Sequence, residues 1–207
     1  MDIYRHDESF RKAGYHHIAG LDEAGRGPLA GPVVASAVVL PSGKRIKGLR
    51  DSKKVPEKER ESLFMDILCC CLDVGVGIVD AETIDRINIL NATKLAMQRA
   101  VDDLSRGADL LLIDALQLPS MDITQVSLIK GESKSASIAA ASIIAKVVRD
   151  GMMRQYDLMY PEYGFAKHKG YSTREHMDKI IRHGPCSVHR KSFEKVLPLE
   201  LPLGGEE

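Results

Sequence analysis

The sequence lacks net charge, because 29 lysine and arginine residues balance 29 aspartate and glutamate residues among 207 residues in all. No global field therefore draws the chain toward nucleic acid or a membrane surface. Long apolar runs are also missing: the longest uncharged stretch, residues 27–43, contains three prolines and is too short to span a bilayer. The first twelve residues are charged throughout, which predicts no signal peptide. We therefore expect a soluble, cytoplasmic protein without a membrane partner.

Cysteine is scarce and is not spaced for metal binding. Three of the four cysteines are consecutive, at positions 69–71, and the fourth is Cys186. Zinc sites and disulfide-rich domains use spaced cysteine pairs, and no C-x-x-C pair occurs, so neither is indicated. Free thiols suit a reducing compartment. The G-x-x-x-x-G-K-[ST] loop is absent too, which excludes P-loop nucleotide chemistry.

Strand-like apolar runs alternate with helical patterns along the chain. The first strand begins near residue 18, and further strands are predicted over residues 33–40, 74–80, 109–115 and 126–130. Helices are predicted from residue 56, over residues 81–104, from residue 136 and from residue 172. Small side chains over residues 136–145 indicate a helix packed closely on the sheet, and Ser172 with Glu175 forms an expected capping box. The alternation predicts one α/β domain.

Three acids stand at the ends of predicted strands. Asp22 and Glu23 follow the first strand, and Asp114 ends the aliphatic run of the fourth. Any one of them alone could be a polar strand end that meets water. Acids from separate strands can, however, meet at one edge of an α/β sheet, where a divalent cation would offset their repulsion. Oxygen ligands without cysteine favour Mg²⁺ or Mn²⁺, the ions of phosphodiester cleavage.

A glycine-rich segment follows the paired acids at once. Gly25 and Gly27 allow backbone angles closed to other residues, so we expect them to bend the strand and bring Asp22 and Glu23 into one site. Exposed N–H groups around Arg26 could then hold a phosphate or a hydroxyl. The spacing G-x-G-x-x-x-G differs from the dinucleotide fingerprint, and valines rather than a helix follow it.

The segment from residue 167 to residue 195 is basic, with eight lysine and arginine residues against three acids and with four histidines among them. Such a cluster is either a phosphate-facing surface or a solvated helix face. The sequence leaves both interpretations open.

Motifs spread over residues 18–193 resemble ribonuclease HII: AGLDEAGRGPLAGPVV, DSKK, NATKLAMQRA, LLLIDA, KGESKS, AAASIIAKVVRD, YGFAKHKGY and HRKSF. The resemblance implies an α/β, ribonuclease H-like mixed sheet flanked by helices, with a small helical C-terminal region. Residues 1–160 would form the catalytic domain, and residues 161–207 a substrate-contacting region with a loose tail. The implied activity is metal-dependent hydrolysis of RNA in RNA–DNA hybrids, including single ribonucleotides embedded in duplex DNA.

The resemblance also implies the functional residues. Asp22, Glu23 and Asp114 match the metal-binding acids, with Mn²⁺ or Mg²⁺ as the ion. The fourth catalytic acid is an Asp in a K-G-D motif, and Glu132 stands there in this chain, one methylene longer. A second departure is Ala115, where the family has glycine. Asp150 lies beside Arg149 and is expected to be a structural ion-pair or capping residue.

Substrate contacts are implied at five positions, all transferred from matching motifs: Gly25, Arg26, Gly27, Lys53 and Tyr171. The glycine–arginine segment would contact the ribose 2′-hydroxyl through its backbone. Tyr171 would pack on the sugar after the scissile phosphate, and Lys53 would hold that phosphate. From the residues alone, Tyr171 could equally cap the core and Lys53 could be a solvated lysine. A monomer acting on hybrids and ribonucleotide-containing DNA is expected.

Two other classes of function stay open at this point. A catalytically weakened protein that binds hybrids without cutting them would be consistent with the Glu132 substitution. A different nuclease or recombinase with the same fold would lack the ribose-reading segment and Tyr171. Cleavage of a DNA duplex that carries one ribonucleotide discriminates among the three.

Overall fold

The computed structural model describes residues 2–52 and 55–196. Its strands are β1 (Ile18–Ala24), β2 (Val33–Val39), β3 (Asp73–Val79), β4 (Leu110–Asp114) and β5 (Thr124–Leu128). Its helices are α1 (Ile3–Lys12), α2 (Glu57–Cys70), α3 (Ala81–Ile87), α4 (Ile89–Asp102), α5 (Ala136–Met159), α6 (Phe165–His168) and α7 (Arg174–His183). A 3₁₀ turn, Gly131–Ser133, precedes α5.

The strands form one mixed sheet in the order β3-β2-β1-β4-β5. Strand β1 pairs antiparallel with β2 and parallel with β4, and β5 extends the parallel half. The carboxyl ends of β1, β4 and β5 therefore point the same way and share one edge of the sheet.

Helices cover both faces of the sheet. Alanines of α4 pack against β2 and β3 on one face, and the alanine-rich start of α5 packs on the other. The α5 contact is very close: a Cβ on Gly20 would lie 2.1 Å from the backbone carbon of Ser137. The close packing that small residues predicted for this helix is confirmed, and it places α5 directly against β1 at Gly20.

Three local expectations differ from the structure. Helix α1 was not anticipated, and the predicted helix over residues 81–104 is two helices. They meet at Asn88, whose φ of 65° is left-handed and whose side chain accepts from the backbone N–H of Asn91. The last helix is capped by Thr173, which accepts from the N–H of His176, and Ser172 is not the cap.

The residues after α5 hold the loop between β1 and β2. The N–H of Leu29 donates to the Gly170 carbonyl over 2.8 Å, and the N–H of Gly31 donates to the Val188 carbonyl over 2.8 Å. Phe165, Tyr163 and Met153 form a small apolar cluster with Ala30 of that loop. The C-terminal region is thus packed on the segment that carries the glycine–arginine motif.

None of the helices found in residues 2–52 and 55–196 combines the length and the apolar character needed to cross a bilayer.

Candidate active site

Asp22 and Asp114 are neighbours at the carboxyl edge of the sheet. In the parallel ladder of β1 and β4, Leu21 pairs with Ile113, and each acid is the next residue of its strand. Asp22 is buried, accepts from the backbone N–H of Glu23 over 2.7 Å, and is also bonded to the hydroxyl of Ser142 on α5. The strand register thus brings together two of the acids that the sequence placed at strand ends.

Burial raises the pKa of Asp22 well above its ordinary value, and the nearby carboxylates of Glu23 and then Asp114 raise that pKa further. Only groups close in space repel strongly enough to have this effect. The three acids therefore form one negatively charged cluster whose repulsion a cation would relieve.

Glu23 follows Asp22 in a regular ladder. Asp22, Glu23 and Ala24 pair in turn with residues of β2, and the chain turns only at Gly25, whose φ is 98°. The glycines were expected to bend the strand at Asp22 and Glu23. This expectation is wrong, because the chain bends only after both acids, at Gly25. Asp22 and Glu23 leave opposite faces of the strand and are brought near each other because both lie at its end.

Glu132 lies in the loop beside Asp114. The N–H of Gly131 donates to Asp114 Oδ1 over 2.8 Å, and Glu132 is the next residue. Within the described part of the chain, the buried Glu132 Oε2 has no hydrogen-bond partner. An unsatisfied carboxylate oxygen next to an acid cluster suits a cation ligand, because burying it otherwise costs free energy.

These acids fit a hard divalent ion by donor type. Over residues 2–52 and 55–196, no group of three or more histidine, cysteine, aspartate or glutamate side chains already stands in a metal-holding arrangement. The raised pKa of Asp22 and the unsatisfied oxygen of Glu132 indicate where the cluster gains most from such an ion.

A cleft of about 210 Å³ opens beside the acids and is lined by Glu23, the segment 25–27, Ser142, Lys146 and Tyr171. Arg26 is exposed, and its Nη1 lies 3.2 Å from Glu23 Oε1. Tyr171 is 45% exposed, and its ring stands beside Gly27, since a Cβ there would lie 4.0 Å from Tyr171 Cε1. Four of the five expected substrate residues thus meet in one cleft. Lys53 lies outside the described residues.

Two buried arginines hold the loop that carries this motif. Arg149 donates to the carbonyls of Pro32, Ala30 and Lys169 over 3.0–3.1 Å. Arg190 donates to the carbonyls of Gly31, Arg26 and Gly25 over 2.9, 3.1 and 2.6 Å.

Both guanidinium groups have zero exposed area. Burial lowers the pKa of Arg149 and of Arg190. Each guanidinium satisfies three backbone carbonyls, which fixes the path of the glycine–arginine loop.

Sequence reasoning missed the role of these arginines. Arg149 was read only as the neighbour of Asp150, and HRKSF was used only as a motif. The expectation for Asp150 is confirmed: it accepts from Lys146 over 2.7 Å and lies 3.8 Å from Arg60. A signal was available in the five glycines and prolines of the loop, because such a segment lacks side chains that could satisfy its own carbonyls.

Known proteins of one family resemble the chain. The family model of ribonuclease HII matches residues 19–196. Ribonuclease HII of Acetivibrio thermocellus is 56% identical over 195 residues, covering 94% of this chain and 75% of that protein. Ribonuclease HII of Bacillus subtilis is 55% identical over 196 residues, covering 95% and 76%. The crystal structure of ribonuclease H2 from Pyrococcus horikoshii OT3 superposes with a TM-score of 0.71 at 28% identity, covering 86% of this chain and 94% of that one.

The expected ribonuclease H-like architecture, a mixed sheet flanked by helices, is confirmed by this superposition and by the sheet order. The family match extends over the acid cluster, the glycine–arginine loop and the C-terminal region. The chain therefore belongs to the ribonuclease HII family and is a metal-dependent endoribonuclease that cleaves the RNA strand of RNA–DNA hybrids.

Proposed function

We propose that the enzyme also nicks duplex DNA on the 5′ side of a single embedded ribonucleotide, leaving 3′-hydroxyl and 5′-phosphate ends. The observation that carries this proposal is the placement of the glycine–arginine loop directly beside the acid cluster. A loop that reads one ribose next to the cleavage chemistry needs no second ribonucleotide.

Asp22, Glu23 and Asp114 would hold two divalent ions, Mn²⁺ or Mg²⁺, with Glu132 as the fourth acid. When bound, such ions activate water and neutralise charge on the phosphate and the leaving oxygen. Asp22 must be ionised to take part, and the hydroxyl of Ser142 and the N–H of Glu23 favour that form by donating to it. The donor set, all carboxylate oxygens, supports a hard ion.

Recognition of the ribose is assigned to the segment 25–27, which lines the cleft. Tyr171 would pack on the following sugar with its exposed ring. Lys53 is proposed to hold the scissile phosphate, on the strength of its motif alone. Gly25 cannot carry a side chain, because a Cβ would lie 2.1 Å from Arg149 Nε.

A second candidate function is a weakened enzyme that binds hybrids without cutting them efficiently, and only the Glu132 substitution favours it. Glu132 follows Gly131, whose N–H donates to Asp114, and this proximity in the chain supports a working enzyme. A monomer, a cytoplasmic location, and a division into residues 1–160 and 161–207 stay predictions.

The deciding experiment uses two end-labelled duplexes of one sequence, all-DNA or with a single ribonucleotide, in Mg²⁺ and in Mn²⁺. We expect one nick, on the 5′ side of the ribonucleotide, and no cleavage of the all-DNA duplex. Retarded migration of the ribonucleotide duplex without a nick would support the binding protein. Cleavage of both duplexes would indicate a nuclease that ignores the ribose.

A further inference from the structure

A chain of buried histidines runs beneath Tyr171. His176 lies in α7 and His189 follows that helix, and both have almost no exposed area. The two Nε2 atoms are 3.0 Å apart. Neither residue touches the acid cluster, and the proposed chemistry does not use them.

The partners of the two rings fix their protonation. The backbone N–H of Cys186 donates to His189 Nδ1 over 3.0 Å, so that nitrogen carries no hydrogen. At the other end, His176 Nδ1 lies 2.9 Å from the Tyr171 carbonyl, which can only accept, so this nitrogen carries one. With neutral rings, His189 Nε2–H then donates to the bare His176 Nε2.

The result is a one-directional relay from the Cys186 N–H through His189 and His176 to the carbonyl of Tyr171. Protonation of His176 would place two hydrogens between the Nε2 atoms, and protonation of His189 would place a hydrogen on Nδ1 against the Cys186 N–H, so either event would break the relay. Burial lowers the pKa of His176 and of His189 to about 4, so both rings are neutral at neutral pH. His168 stacks on His176 with ring centroids 4.3 Å apart, which holds the second ring in place.

Tyr171 stands in a tight turn, where its N–H donates to the His168 carbonyl over 2.9 Å and its carbonyl also accepts from the Thr173 N–H over 2.8 Å. It follows two residues with left-handed backbone, Lys169 at φ 52° and Gly170 at φ 82°. The residue is 45% exposed, and its ring lines the cleft beside Gly27. The position of the ring depends on this backbone turn, and the bond from His176 Nδ1 to the Tyr171 carbonyl adds a side-chain contact to it.

We propose that this histidine relay positions Tyr171 for the substrate sugar, which makes His176 and His189 positioning residues of the enzyme. The inference rests on the proposed role of Tyr171 in substrate binding. The basic segment of residues 167–195 would then contribute the positioning of Tyr171 as well as positive charge.

Two substitutions at one position separate the relay from simple packing. His176→Asn keeps an amide N–H near the Nδ1 position and can still donate to Tyr171. His176→Gln places its amide near Nε2 and loses that donation. Both substitutions remove the imidazole and lose a similar amount of side-chain packing. Each variant is therefore the control for the packing loss of the other.

We expect His176→Gln to raise KM for a duplex with one ribonucleotide by about tenfold, the scale of a modest misplacement, and His176→Asn to stay within about threefold of wild type. In a Tyr171→Ala background the two variants should cleave alike. Equal KM values for the folded single variants, or a difference that persists without the Tyr171 ring, would overturn the relay. Should His176→Gln not fold, His189→Gln, which keeps an N–H near Nε2, and His189→Asn, which removes it, make the same comparison.

Failure of the proposed substrate role looks different. Tyr171→Ala would then cleave at the wild-type rate, and the relay would lose its consequence for the substrate. Nitrogen-15 spectra of the imidazoles test the relay without activity: we expect hydrogen on Nδ1 of His176 and on Nε2 of His189. The opposite tautomers would contradict it whatever the kinetics show.

Discussion

The N–H of Gly131 donates to Asp114 Oδ1 over 2.8 Å, which ties the loop carrying Glu132 to the acid at the end of β4. The loop has little freedom there, since a Cβ on Gly131 would lie 2.6 Å from Ile138 Cδ1. The extra methylene of glutamate must therefore be accommodated by the side chain or by the residues after Gly131. How well it is accommodated decides the role of the fourth acid.

Glu132→Gln should lose cleavage as severely as Asp114→Asn, because an amide cannot offset the charge of a cation. Steady-state rates of both variants in Mg²⁺ and Mn²⁺ provide the measurement. The Glu132→Asp variant tests whether the glutamate side chain is too long for the metal site. If it is too long, aspartate will raise the cleavage rate in Mg²⁺ and reduce any excess of the rate in Mn²⁺ over the rate in Mg²⁺. A Glu132→Gln enzyme with wild-type rates would make this residue a bystander.

Asp22→Asn should reduce cleavage by about a thousandfold or more, while making the metal-free protein more stable at neutral pH. The pKa of Asp22 is higher in the folded chain than in the unfolded chain. The contribution of this residue to folding stability is therefore fully present below its unfolded-state pKa and is lost as pH rises through its folded-state pKa. The amide of the Asp22→Asn variant does not ionise, so the variant does not lose this stability as pH rises. Urea unfolding in a chelator at pH 4 and pH 7 should show a larger gain at pH 7, and an equal gain at both would refute the cause given.

Arg190→Lys should lower the free energy of unfolding by about 2–4 kcal/mol, because lysine cannot reach three carbonyls and leaves some unsatisfied. The same variant should also discriminate less between ribose and deoxyribose, since the loop at Gly25 and Arg26 loses its support. Arg182→Lys, on the exposed side of α7, is the matched control and should change neither quantity. Unfolding curves and the two-duplex cleavage assay measure both effects.

Stability should fall as pH drops from 6.5 toward 4. The pKa of His176 and of His189 is lowered to about 4 in the folded chain. Between pH 6.5 and pH 4 these imidazoles are therefore protonated in the unfolded chain and neutral in the folded chain. Near pH 5 unfolding should take up about two protons at these positions. The pH dependence of urea midpoints for wild type and for His176→Asn/His189→Asn measures this. An unchanged slope in the double variant would contradict it, and His183→Asn, at an exposed position, is the control.

Ala115→Gly should stabilise the protein slightly. Ala115 has φ 52°, a left-handed conformation that costs a residue with a Cβ about 1–2 kcal/mol. Glycine relieves that strain but is freer in the unfolded chain, so the net gain should be below about 1 kcal/mol. Thermal unfolding of the variant tests this, and a loss of stability would show that the methyl group contributes packing beside Asp114.

The sequence was informative where one residue pattern has one structural outcome. Aliphatic runs that end in acids predicted that Asp22 and Asp114 would share a sheet edge, and the strand register places them there. Motif resemblance supplied Tyr171 and the glycine–arginine segment, which meet in the cleft. Strand ends and local motifs are properties of short segments and can be predicted from them.

Other features depend on contacts between distant segments. Arg149 and Arg190 bind one loop from 117 to 165 residues away, which no local pattern reveals. The left-handed conformation of Ala115 belongs to the turn after β4, and the sequence showed only that alanine stands where the family has glycine. Thr173 rather than Ser172 caps α7: its hydroxyl accepts from the N–H of His176, and its own N–H donates to the Tyr171 carbonyl of the preceding turn.

The buried arginines have a consequence for ionic strength. Contacts between surface cations and phosphates weaken steeply with salt, because binding releases counterions. Guanidinium groups sealed from solvent and bonded to neutral carbonyls are beyond the reach of dissolved ions. Raising the salt concentration should therefore loosen the enzyme from its duplex while leaving its preference for ribose over deoxyribose unchanged.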